Sequence, residues 1–288
     1  MGMLEERYLE GRAIKASMEG GHSSHFTLPG IDQLAPDLKR IIDEVLYGSV
    51  WTRPGLDIKY RSICTLSALM ALGHLPLLRR HIERGLNVGL PPSQIVEVFI
   101  QLTFYVGVPA VEAALRMAKE IFEERGVEFT PTQIYDTSKS ADELHEIGVR
   151  THQEHSDDIT AYTTKDPDSQ EMQLERLINE YLWGAIYTRP YLNRKAQAIC
   201  ALSSMTVLGH YDQQIRRRIE GALRVGMTPE EIMEVFIQLT LYGGYFNTRT
   251  TMRIARSVFT EQEGSEEEGR QTNDRAMPDE ASQRRMEE

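Results

Sequence analysis

Apolar residues recur along this chain at helical spacing, and the strict alternation expected of a half-buried β-strand is absent. The run IVEVFIQLTFYVG at 95–107 and the amphipathic stretches VEAALRMAKEIFEE and TRTTMRIARSVFTE each predict a helix. The punctuation between them is legible. Gly73 and Gly209 follow long apolar runs and supply left-handed stops, as do Gly89 and Gly226 further on. MTPEE places Thr228, Pro229 and Glu231 where a helix start wants a cap, a rigid first turn and a capping-box partner. Its counterpart LPPSQ keeps the proline entry and loses the hydroxyl. The pattern predicts an all-α chain.

The pattern also occurs twice. LYGSVWTRPGL at 46–56 returns as LWGAIYTRPYL at 182–192, and Leu46–His74 aligns without a gap on Leu182–His210, with 14 of 29 positions identical. One inserted residue later, EVFIQLT at 97–103 recurs unchanged at 234–240. YLEGRAIK and LHEIGVRT give the two lead-ins a faint echo. Two similar helical units follow, over 1–125 and 140–260, with a polar linker at 126–139 and a tail at 261–288. Duplicated helical units bury their apolar faces on each other, so the fused pair is expected to form a pseudo-dimer.

Composition adds exclusions. Hydrophobic residues make up 41% and charged residues 26%, as in an ordinary globular protein. The net charge of −11 argues against a nucleic-acid partner. The tail holds ten acids against four arginines and lacks valine, isoleucine, leucine and aromatics, which reads as disorder. No apolar run is long enough to span a bilayer and the N-terminus has no signal-peptide core, so no membrane association and a cytoplasmic location are expected. Two cysteines, Cys64 and Cys200, offer no disulfide framework.

Several polar residues resist a purely structural explanation. Glu97, Gln101 and Tyr105 stand at i, i+4 and i+8 of an otherwise apolar helix, and Glu234, Gln238 and Tyr242 repeat them. The stripe is a solvent face, an interhelical hydrogen-bond row or the lining of a cavity. His81 has Arg218 at the matching place, which keeps a cation and discards a proton shuttle. Arg53 and Arg189, between Thr and Pro, either bind a carboxylate or tie down their loops. Arg61 occurs in the first unit alone, its partner being Gln197. Metal binding is disfavoured. Cys64 and His74 would lie about 15 Å apart along a helix, and the pairs HSSH at 22–25 and HQEH at 152–155, with Asp157 and Asp158 near the second, occupy non-equivalent places and lack a third ligand of the usual kind. Phosphate loops, GxSxG elbows and Cys-x-x-Cys pairs do not occur.

Taken together, WTRPGL, RSICTLSALMALG and RRHIERGLNVGLPPSQIVEVFIQLTFYVGVPA resemble the 4-carboxymuconolactone decarboxylase family, and RYLEGRAIKASMEGGH is similar to its N-terminal segment. The resemblance covers most of 6–125 and, more loosely, 140–260. It implies an all-α fold and a homo-oligomer, with a trimer of pseudo-dimers among the assemblies open to it. The family's peroxidase branch has a Cys-x-x-Cys pair where this chain has Leu75 and Leu78, so a thiol peroxidase is not expected. The first unit keeps Gly55, Arg61-Ser62, His81 and Gly107-Val108-Pro109, while the second has Tyr191, Gln197-Ala198, Arg218 and Gly244-Tyr245-Phe246. The first site is therefore expected to be active and the second structural or repurposed.

The activity so implied is loss of CO2 from an unsaturated lactone carboxylate to give an enol-lactone, with a small-molecule substrate and no cofactor or metal. His81, Arg61 and Glu97 are the expected catalytic residues, with Trp51, Arg53, Gln101 and Tyr105 binding substrate. His81 would return the proton, and Arg53 and Arg61 would bind the anion. The first unit departs from the family pattern at LPLLRRH, which lacks the usual acid before the histidine, and at Glu112, where the family has Asn. Two alternatives follow: a related decarboxylase or cyclase for a larger biosynthetic intermediate, and a non-catalytic scaffold in which His81 and Arg61 share no cavity.

Overall fold

The computed structural model describes residues 3–20, 31–156, 166, 169–209 and 211–276, and all its regular elements are helices. The first unit runs α1 (Met3–Glu19), α2 (Pro36–Ile42), which continues as a π-helical stretch over Asp43–Trp51, α3 (Ile58–Ala71), α4 (Leu75–Asn87), α5 (Pro92–Gln101) and α6 (Val108–Glu124). The second repeats this order as α7 (Ala141–Gln153), α8 (Gln170–Leu177) with its π-helical continuation Ile178–Ile186, α9 (Arg194–Leu208), α10 (Asp212–Arg224), α11 (Pro229–Gly243) and α12 (Tyr245–Ala276).

Helix ends fall where the sequence punctuates them. Gly73, Gly89, Gly209 and Gly226 all take positive φ, between 67° and 89°. Thr228 and Glu231 form a reciprocal capping box at the start of α11, whereas α5 begins at Pro91 with no side-chain cap. One predicted helix is interrupted: α5 stops at Gln101, and a short turn of helix over Thr103–Val106 carries Tyr105. The equivalent stretch of α11 is continuous. A second difference lies in the tail. α12 reaches Ala276, so residues 261–276 are helical where composition predicts disorder. Glutamate, frequent in this stretch, is a good helix former. Residues 277–288 lie outside the described part, as do the HSSH segment, Asp157, Asp158 and His210.

The two units share one hydrophobic core. α3 and α9 are buried on nearly every face and pack on each other, and α11 lies across α3 while α5 meets α9. Cys64 Sγ sits 3.6 Å from the Val235 carbonyl across this seam, and burial pushes both cysteine thiols up to about 12. A thiol so shifted stays protonated and unreactive near neutral pH. No helix among the described residues is long and apolar enough to cross a membrane.

Each unit has a second, tighter crossing. α1 meets the π-helical stretch of α2 at Gly11 and Gly48, and α7 meets that of α8 at Gly148 and Gly184. A Cβ at any of these glycines would overlap backbone of the facing segment. Such close approach fixes α1 and α7 against the aromatic rows Tyr47/Trp51 and Trp183/Tyr187, and so positions the residues of the two cavities described next.

Candidate active site

The polar stripes and the Thr-Arg-Pro loops exchange partners between units. Arg53 forks onto Glu234, with Nε 2.7 Å and Nη2 2.5 Å from Oε1. Arg61, fully buried, donates to Glu234 Oε2 at 2.7 Å, Gln238 Oε1 at 3.1 Å and its own loop at the Arg53 carbonyl, 2.8 Å away. Gln238 donates in turn to Thr65 at 3.2 Å. The reciprocal contact is thinner: Arg189 Nε reaches Glu97 Oε1 at 2.7 Å, and Gln101, fully buried, leaves both side-chain polar atoms without a partner among the described residues. The cause is in the sequence. The positions of Arg61 and Thr65 are Gln197 and Ala201 in the second unit, and Gln197 donates to the Tyr187 carbonyl instead.

The electrostatics follow the same asymmetry. Burial opposes the charge on both glutamates, yet two guanidiniums hold the Glu234 carboxyl below its ordinary value while Glu97, with Arg189 alone, is pushed up. Because Gln101 is an unmet buried amide and Gln238 a satisfied one, the same substitution has opposite signs. Gln101→Leu is expected to raise stability by about 1 kcal/mol, and Gln238→Leu to lower it by about 1–3 kcal/mol. Urea unfolding midpoints of the two variants check this.

Two cavities flank this seam. The first, of about 220 Å³, is lined by Lys15, Lys39, Asp43, Tyr47, Arg80, His81, the apolar Ile42, Leu46 and Leu77, and, from the second unit, Leu241 and Tyr242. Asp43 ties Lys15 at 3.0 Å and Lys39 at 3.3 Å to the wall. His81 is buried, stacked on Trp51 at 6.0 Å between centroids and met edge-on by Tyr242 at 5.6 Å. Trp51 Nε1 donates to the Tyr242 hydroxyl at 3.1 Å, and that hydroxyl lies 3.5 Å from His81 Nε2. Behind them the buried Arg84 donates to the Tyr47 hydroxyl at 2.6 Å and to Glu19 at 3.0 Å. Burial, with Arg84 and Arg80 adding repulsion, holds His81 well below its ordinary value, so the resting imidazole is neutral.

The second cavity, of about 320 Å³, has Tyr105, Phe104, His152, His155, Glu175, Trp183, Arg217 and Arg218 among its lining residues. The expected site residues are therefore divided between two places. His81 lines the first cavity with Trp51 behind it, whereas Tyr105 lines the second and Glu97 and Gln101 belong to that side of the seam. Grouping Glu97, Gln101 and Tyr105 with His81 is corrected: their equivalents Glu234, Gln238 and Tyr242 stand on the His81 side. The anion that Arg53 and Arg61 bind is Glu234, and neither lines the cavity. Sequence reasoning missed Lys15, Lys39, Arg80 and Asp43. The one signal for Lys15 was the lead-in echo, since Gly11 and Gly148 cross their partners alike.

Burial holds three imidazoles below their ordinary range: His81, and His152 and His155 at about 4 each. The unfolded chain binds protons at these sites from about pH 6.5 downward and the folded chain does not, so stability falls as pH drops below that value. Glu97 works in the opposite direction near its own, raised value. Between pH 7.5 and 5.5 each histidine is expected to remove about 1 kcal/mol, which urea midpoints across that interval measure. Among the described residues no three His, Cys, Asp or Glu side chains gather as a metal site would require.

A sequence profile of the carboxymuconolactone decarboxylase family matches residues 36–120 and again 173–257. The chain belongs to that family. The 4-carboxymuconolactone decarboxylase of Acinetobacter baylyi is 32% identical over 123 residues, 43% of this chain and 92% of the relative. An uncharacterized 15.0 kDa protein of Paracoccus denitrificans is 29% identical over 128 residues, 44% of this chain and 92% of its own length. Nitrosuccinic acid decarboxylase npaB of Metarhizium robertsii is 32% identical over 101 residues, 35% of this chain and 65% of the relative. Each match spans about one unit, so this member of the carboxymuconolactone decarboxylase family is a tandem of two such units. Two of these relatives are named decarboxylases, which supports a carboxy-lyase at the level of the family.

Proposed function

We propose that this chain is a cofactor-independent decarboxylase that releases CO2 from an unsaturated lactone carboxylate to give an enol-lactone, and that the reaction occurs in the first cavity. The observation that carries this reading is a neutral His81, enclosed by Trp51 and Tyr242, on a wall that also bears Lys15, Lys39 and Arg80. Lys15 and Lys39 share Asp43, and Arg80 pairs with Glu19 at 3.2 Å, so cations outnumber the carboxylates they meet and draw an anionic substrate in. The volume of about 220 Å³ suits a small acid better than a large biosynthetic intermediate.

The chemistry needs three things of the protein. The leaving carboxylate must sit against apolar surface, for which Ile42, Leu46, Leu77 and Leu241 are available. As the C–C bond breaks, its electron pair moves through the conjugated lactone to the carbonyl oxygen, and a cation or hydroxyl near that oxygen stabilises the charge by about 3–4 kcal/mol. A proton must then reach carbon. Burial, with Arg84 and Arg80 adding repulsion, keeps His81 neutral. The substrate's negative charge favours the protonated ring against burial and that repulsion, and the imidazole then takes up from solvent the proton it later delivers. Tyr242, held by Trp51, orients the ring.

A second reading keeps the bond cleavage and changes the electron sink, motivated by the relative that acts on nitrosuccinic acid. A nitro group accepts the pair as a lactone carbonyl does. The test is CO2 release and product mass from purified, metal-stripped protein given 4-carboxymuconolactone or nitrosuccinate. Turnover of the lactone is the expected result. Turnover of the nitro acid alone transfers the reading to the second sink, and none with either from folded protein overturns both.

A further inference from the structure

The second cavity keeps the arginine and the stripe tyrosine of the first, Arg217 for Arg80 and Tyr105 for Tyr242, and differs at most of its other polar and aromatic positions. Lys15 and Met18 of α1 are matched by His152 and His155 of α7, with Asp43 matched by Asn179, Tyr47 by Trp183, Trp51 by Tyr187 and His81 by Arg218. A disused copy is expected to lose polar groups or fill with apolar ones. This one has gained two histidines, keeps a wall of aromatics and is the larger of the two.

His155 is the informative residue. Its Nδ1 lies 2.9 Å from the Thr151 carbonyl oxygen, which can only accept, so Nδ1 carries the hydrogen and Nε2 an open lone pair. The side chain is 6% exposed, and Nε2 has no hydrogen-bond partner among the described residues. An acceptor buried in this way is incomplete until a donor arrives. The protein around it offers planar faces: His152 stacks on Trp183 at 4.2 Å and 13°, and His155 leans on Trp183 and Tyr187 at 5.2 Å each. The Arg218 guanidinium lies 4.8 Å from the Trp183 ring and 5.5 Å from that of Tyr105, and Arg217 also lines the cavity. The Tyr105 and Tyr187 hydroxyls are bonded to each other at 2.7 Å.

We propose that the second cavity is a separate binding site for a small planar acid that carries its own hydroxyl, a phenol or an enol. Its O–H donates to His155 Nε2, its ring lies among Trp183, His152 and Tyr105, and its carboxylate faces Arg217 and Arg218. The site does not depend on the reaction assigned to the first cavity.

The two tryptophans of the chain fall one to each site, which gives a direct test. In Trp51→Phe the remaining indole, Trp183, reports the second cavity alone. Its emission is followed while benzoate or 2-, 3- or 4-hydroxybenzoate is added. Saturable quenching is expected, with at least one hydroxybenzoate binding about tenfold more tightly than benzoate. His155→Met, which installs the side chain found at the corresponding first-unit position, is expected to erase that preference. Equal affinity for all four probes, no saturable change, or a preference that persists in His155→Met overturns the proposal. Nitrogen-15 histidine spectra of the unaltered chain give a reading that does not depend on any variant folding. The bound hydroxybenzoate shifts the unprotonated Nε2 resonance of His155, and an unmoved resonance at saturation overturns the site.

Discussion

Glu234→Gln costs the fold about 3–5 kcal/mol. The substitution preserves shape and removes one charge, so the loss isolates electrostatics. Arg61 is fully buried, and of the partners described for it Glu234 alone is a carboxylate. Without that carboxylate a guanidinium is left in a low-dielectric interior facing an amide and a carbonyl. Glu97→Gln is expected to cost much less, because Glu97 has one arginine instead of two and its carboxyl is already displaced toward the neutral form. The double variant Glu234→Gln/Arg61→Gln, whose second change installs the glutamine found at position 197, also removes the stranded guanidinium and should recover a large part of the loss. Urea unfolding of the four proteins decides the matter. Equal penalties at Glu234 and Glu97 would show that the two halves of the seam are electrostatically equivalent, contrary to the geometry.

His81→Gln lowers turnover by about 10²–10⁴-fold in whichever decarboxylation the first cavity performs. Glutamine retains a polar group of similar reach against Trp51 and Tyr242 and cannot take up and release a proton near neutral pH. Substrate affinity should change little, since the cations that draw the anion are Lys15, Lys39 and Arg80. Lys15→Met is the complementary variant: KM rises while kcat changes less. Steady-state kinetics on both separate proton delivery from anion capture. Full turnover in His81→Gln would remove the imidazole from the mechanism and leave Tyr242 as the next group to examine.

The helices and the duplication were legible in the sequence because both are local matters. Glycine at a left-handed stop and a threonine cap act within a few residues, so Gly209 and Thr228 mark real ends. His81 stood out for the same kind of reason, as a proton shuttle lost in the other copy. The exchange of partners was not legible. Periodicity says that Glu97 and Gln101 share a face, and says nothing about what that face meets. With identical stripes in both copies, a stripe serving its own unit and one serving its neighbour read the same. Lys15 was hidden because its importance comes from the glycine crossing of α1 on α2, a contact between segments 37 residues apart at Gly11 and Gly48. The helix over 261–276 escaped notice because composition measures the capacity to build a core and not the helix propensity of a glutamate-rich run.

The exchanged stripes also bear on how such a chain can change over generations. In a symmetric dimer of single units every substitution appears in both pockets at once, so an improvement in one is tied to its effect in the other. Joining the two copies in one chain severs that tie. The aromatic row of one pocket and the stripe that completes it are then encoded in different halves and can drift separately. Glutamine at position 197, where the first unit has Arg61, is a difference of this kind. It alters one half of the seam, leaves Glu234 fully paired in the other, and is accompanied by the unmet amide of Gln101.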